Sequence, residues 1–102
     1  MTPERFAEHL AYIAEHYTVL PLTQIITALK NNQPLPENSL AITFDDGYRN
    51  ILENAHPMLV RHGFPYTIFI NPVLTGTRKN LLTWDELKKM SDEGALIANH
   101  YL

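Results

Sequence analysis

The run Leu40-Ala41-Ile42-Thr43-Phe44 constrains the fold of this chain more than any other feature. It is apolar without alternation, and it ends abruptly on Asp45-Asp46-Gly47. A strand with one wet face alternates polar and apolar residues. One that does not alternate reads as buried on both faces, as in a parallel sheet. Tyr17-Thr18-Val19-Leu20, Tyr66-Thr67-Ile68-Phe69-Ile70 and Ala95-Leu96-Ile97-Ala98 give three further strand signals, the last again read as buried.

Helical patterns separate these strands. Thr2-Pro3-Glu4 is a helix start, with Thr as N-cap, Pro at the first helical position and an acid in the first turn. Phe6, Leu10, Ile13 and Ala14 then recur at helical spacing, which predicts a helix to about Glu15 or His16. A second helix opens at Thr23 and closes near Lys30, before a polar, proline-bearing loop over 31–39. From Tyr48 to His62 the pattern is helical but Pro57 divides it. A loop or short turn is expected first, then the main helix from near Pro57, with Gly63 as its C-terminal cap. Thr83 and Glu86 form a capping box for a helix to about Met90. Alternation of this kind predicts an α/β fold with parallel strands and right-handed crossovers.

The chain has 102 residues, 45% hydrophobic and 19% charged, which suits one globular domain. Its formal net charge of −3 provides no basic face for nucleic acid or an anionic membrane. No apolar run approaches the ~18 residues of a membrane span. The polar N-terminal stretch does not read as a signal peptide, so the chain as it stands reads as soluble. Cysteine is absent, so any metal site must use His, Asp or Glu.

Two chemistry-bearing clusters follow strands directly: Asp45-Asp46, and His100. Parallel strands place all their C-termini on one side of the sheet, where α/β proteins build their sites. The topology therefore couples Asp46 with His100. Adjacent carboxylates repel unless their roles divide. One can bind a divalent cation while the other stays free as a general base. Gly47 allows the sharp turn, and a neutral His100 imidazole completes part of a nitrogen and oxygen donor set suited to zinc or a similar metal. Alone, Asp-Asp-Gly is most often a turn; its place after an apolar strand favours chemistry. His9, His16, His56 and His62 read as structural or exposed. Trp84 reads as a core anchor for its helix rather than a sugar platform. Tyr48 suits packing or a cleft wall equally.

These residues resemble a known family. The segment 40–48, Leu-Ala-Ile-Thr-Phe-Asp-Asp-Gly-Tyr, resembles the first motif of the polysaccharide deacetylases, carbohydrate esterase family four. Thr2–Phe6, His56–Leu59, His62–Ile70 and Leu82–Leu87 resemble the flanking helices and strand, and Ala98-Asn99-His100 resembles the start of the second motif. The resemblance implies a distorted, TIM-like (β/α) barrel and metal-dependent hydrolysis of N-acetyl groups on an amino-sugar polymer. It implies Asp45 as catalytic base, with Asp46 and His100 as metal ligands. Zinc is the expected metal, with cobalt, nickel or manganese as alternatives. It also implies an extracellular, periplasmic or cell-envelope location, which the sequence itself does not address.

The family's second motif carries another His four residues after the first, and its later motifs supply an Arg, an acetate pocket and a general acid. None of these falls within residues 1–102, so the chain is expected to be a partial catalytic domain with little activity alone. Its uncovered sheet edges call for further chain, a swapped element or a homo-oligomer. Two other readings stand beside this one. The first is a hydrolase of another non-peptide C–N amide bond. The second is a non-catalytic α/β association module.

Overall fold

The structure, a computed structural model, describes residues 2–99. Helix α1 (Pro3–His16) starts as expected, with the Thr2 side chain accepting a hydrogen bond from the Arg5 amide. It leads into β1 (Thr18–Val19), α2 (Leu22–Lys30), β2 (Ser39–Leu40) and β3 (Ile42–Asp45). Helix α3 (His56–His62), β4 (Tyr66–Ile70), α4 (Trp84–Asp92) and β5 (Ala95–Asn99) complete the order. All pairings between these strands are parallel, as the alternation of helices and strands requires. β1 pairs with β2, and β3, β4 and β5 form a three-stranded sheet with β4 central. The run 40–44 is thus shared between two pairings, broken only at Ala41.

The register explains the burial. Ile42 and Phe44 are level with Tyr66 and Ile68, which are level with Ala95 and Ile97. These rows share the face that packs against α1, α3 and α4, around Leu10, Leu59, Leu87 and Met90. Thr43 and Asp45 are level with Thr67 and Phe69, then with Leu96 and Ala98, on the opposite face. On that face Thr43, Asp45 and Leu96 are exposed. Within residues 2–99, strands 40–44 and 95–98 are therefore covered on one face only, where burial on both was expected. Among the described residues only central β4 is covered on both sides; β3 and β5 cover their helix-facing rows, with Ile42, Phe44 and Ile97 half-buried, and leave the other row more open.

The segment before Pro57 also departs from expectation. Of the loop or short turn expected there, it is a turn, but a π-helical one (Ile51–Ala55) that runs straight into α3 without a break at Pro57. Pro57 has no amide hydrogen and its ring crowds the carbonyl four residues back. The His56 amide instead reaches the Ile51 carbonyl, five residues back, which widens the helix where Pro57 enters. Gly63 ends α3 at φ 70°, as its sequence position implied. The capping box at Thr83 and Glu86 is complete, although α4 extends to Asp92.

Candidate functional site

β3 delivers Asp45 and Asp46 to the C-terminal edge of the sheet. Asp45 is the last residue of β3, level with Phe69 and Ala98 on the open face. Its carboxylate is exposed and has no hydrogen bond or ion pair among the described residues. The Asp46 amide continues the ladder by donating to the Phe69 carbonyl at 2.8 Å. The backbone then reverses through two successive left-handed residues, Asp46 at φ 71° and Gly47 at φ 65°. Asp is one of the few side chains that tolerates this region, and such outliers cluster at functional sites.

Gly47 was expected to make the turn; that Asp46 shares the left-handed strain was not. Gly47 is buried, and a Cβ there would stand 3.1 Å from Ile70 Cγ2. Gly47→Ala therefore meets both an unfavourable φ and a close contact. It is expected to lower unfolding free energy by about 1–3 kcal/mol in a denaturant titration.

A cleft of about 230 Å³ opens beside this turn, lined by Asp46, Tyr48, Asn71, Thr75, Arg78 and Asn80. One side is the turn itself and the other is the loop over 71–82. Backbone bonds join them: the Arg49 amide to the Asn80 carbonyl at 2.7 Å, and the Leu82 amide to the Gly47 carbonyl at 3.0 Å. Arg49 also bonds the Lys79 and Leu81 carbonyls and pairs with Glu86. The Glu86 carboxyl is held below the ordinary glutamate range, first by the Thr83 amide and, against burial, by Arg49.

The other expectations divide. The ends of β3 and β5 lie on the same edge of the sheet with β4 between, as the coupling of Asp46 and His100 requires. His100 itself lies outside the described residues. Trp84 does not anchor α4 in the core. It is 53% exposed, and the buried neighbours Leu82 and Leu87 take that role. Tyr48 is also exposed, on the cleft wall. His56 is buried and doubly hydrogen-bonded, a structural role in line with its reading. Arg49, directly after the Asp-Asp-Gly-Tyr turn, is not among the residues that the sequence reading singles out.

As to a metal, Asp46 offers one exposed oxygen donor at a strand end. Among the described residues no cluster of three or more His, Cys, Asp or Glu side chains could hold an ion. Residues 2–99 fit such a site in part, as the source of one carboxylate ligand. No helix among the described residues is long and apolar enough to cross a membrane.

Comparison with known proteins gives these features a context. YxkH of Bacillus subtilis (strain 168), named for the polysaccharide deacetylases, is 30% identical over 95% of this chain and 35% of its own length. The poly-beta-1,6-N-acetyl-D-glucosamine N-deacetylase of Escherichia coli (strain K12) is 34% identical over 57% of the chain and 9% of its own length. Among solved structures, the Streptococcus pyogenes deacetylase PplD in complex with acetate superposes with a TM-score of 0.87 at 26% identity. That match covers 96% of this chain and 44% of PplD. IcaB from Ammonifex degensii superposes with a TM-score of 0.91 at 24% identity, over 98% of this chain and 45% of its own. The chain thus spans less than half the length of these relatives, and its parallel strands and helices are part of a (β/α) barrel. The family model for polysaccharide deacetylase matches residues 32–101, across the Asp45-Asp46-Gly47 turn and its cleft wall, and the chain belongs to that family.

Proposed function

We propose that this chain is the N-terminal part of a metal-dependent deacetylase that hydrolyses N-acetyl groups on an N-acetylglucosamine polymer. The observation that carries this reading is the carboxylate pair at the C-terminal end of β3, inside the family match, with one carboxylate free and the other beside a polar cleft. The name of the Escherichia coli relative supports the substrate class.

Asp45 acts as general base. Its carboxylate, uncommitted to any described neighbour, takes a proton from water as oxygen adds to the acetamide carbon. A C–O bond forms, the C–N bond breaks, and the nitrogen leaves as the amine carrying the transferred proton. Asp46 and His100 would hold a divalent cation, zinc being well suited to a carboxylate and imidazole set, with further donors from outside residues 2–99. When bound, such an ion polarises the carbonyl and lowers the pKa of water towards ~7. Tyr48, Asn71 and Asn80 line the cleft where a sugar's hydroxyls would find partners.

The test is acetate release from an N-acetylglucosamine oligomer by the full-length protein, after chelation and after return of zinc or cobalt. Release should vanish on chelation and return with the metal. Absence of release under every metal condition would defeat the reading.

A further inference from the structure

We propose that Arg49 is a positioning residue for the deacetylase reaction, clamping the Asp45-Asp46-Gly47 turn to the loop that walls its cleft. The inference rests on the deacetylase reading given above.

The turn carries two consecutive left-handed residues, one of them not glycine. Such a conformation persists only where its surroundings over-determine it. The facing wall is a long loop between β4 and α4, with exposed Arg78, Lys79 and Asn80 near its end. Loops of this length tend to move unless tied down.

Arg49 stands two residues after Gly47 and is the tie. Its Nε donates to the Lys79 carbonyl at 2.9 Å and one terminal nitrogen to the Leu81 carbonyl at 3.3 Å. The other terminal nitrogen pairs with Glu86 Oε2. Glu86 is itself fixed, because its Oε1 accepts from the Thr83 amide at 2.9 Å in the capping box of α4. One guanidinium therefore joins three things: the turn that bears both carboxylates, the end of the wall loop, and the N-terminus of a packed helix. Its planar fork serves three acceptors in fixed directions, which a lysine ammonium on a flexible stem does not reproduce. The backbone bonds from Arg49 to Asn80 and from Leu82 to Gly47 lie within the same bracket, so its integrity sets theirs.

Arg49 does not line the cleft beside Asp46. Its contribution should therefore appear in the placement of the carboxylates rather than in substrate affinity. Misplacement on the ångström scale is enough to cost a large factor in rate.

The experiment compares the full-length wild type with Arg49→Lys and with Glu86→Gln. The latter keeps an oxygen for the Thr83 amide and removes the charge that faces Arg49. Two readouts are taken: amide hydrogen exchange, and kcat and KM for acetate release from an N-acetylglucosamine oligomer. Both variants should speed exchange at residues 49 and 82 about tenfold, leaving Ile68 in central β4 protected. Both should lower kcat about tenfold with KM within about twofold. Unchanged exchange at 49 and 82 would overturn the clamp. Faster exchange with unchanged kcat, in a wild type that releases acetate, would overturn the positioning role. A wild type that releases no acetate sinks instead the reading beneath it, and the exchange arm shows separately whether the clamp exists.

Discussion

Asp45→Asn should lower kcat for acetate release by about 10²–10⁴-fold, the span associated with a positioned general base. The variant should meanwhile unfold within about 0.5 kcal/mol of wild type, as expected for a change that breaks no contact among residues 2–99. The physical basis is the isolation of this carboxylate. Asp45 is exposed on the open row of the sheet and has no hydrogen bond or ion pair among the described residues. Asn matches its shape and leaves the β3 ladder intact, so a loss of rate reports on proton transfer rather than folding.

Asp46→Asn separates the two roles. Asn adopts left-handed backbone as readily as Asp, so the turn at φ 71° is kept while an anionic donor is lost. This variant should lose bound metal along with activity, whereas Asp45→Asn should retain it. Metal content after dialysis and acetate release, measured on both variants, check the division. Undiminished release from Asp45→Asn would defeat the proposed mechanism, and metal loss from that variant alone would reverse the assignment.

The local signals in the sequence proved legible because their causes are local. Thr2-Pro3, Gly63 and the Thr83/Glu86 pair act within one helical turn, and each stands where its chemistry placed it. Parallel order, with the C-terminal ends of β3 and β5 on one side of the sheet, also followed from the alternation of elements. What was misread depends on neighbours distant in sequence. The composition of 40–44 does not say which face of β3 the rest of residues 2–99 covers, and Thr43 and Asp45 stay open there. Trp84 has the bulk of a core residue, but Leu82 and Leu87 already fill the space beneath it. The widened turn before Pro57 needed a helix continuing from both sides, which a proline in sequence argues against. Arg49 was overlooked because all its side-chain partners lie 30 or more residues away.

His56→Ala should lower unfolding free energy by about 3 kcal/mol, through loss of a buried ring and its hydrogen bonds. His56 is 5% exposed in the first turn of α3. Its Nδ1 meets the Tyr66 hydroxyl at the start of β4, and its Nε2 meets Glu93 Oε1 at 2.9 Å, just before β5. A neutral imidazole has one donor and one acceptor. Glu93 can only accept, so Nε2 donates to it and Nδ1 accepts from Tyr66. Removing the ring strands the Tyr66 hydroxyl in a site where it is 4% exposed. The same arrangement fixes a pH dependence. Burial, and then the charge of Glu93, push the Tyr66 phenol up from its ordinary value. A group whose pKa is raised on folding contributes stability that is present below its unfolded value, about 10, and lost as pH rises beyond it. Urea titrations of the full-length protein at about pH 8 and about pH 11 should therefore show stability falling on the alkaline side. Tyr66→Phe should be less stable by about 1 kcal/mol at pH 8, from one lost hydrogen bond. It should also flatten the alkaline decline, because no phenol remains to ionise. An alkaline decline as steep in Tyr66→Phe as in wild type would place its origin elsewhere.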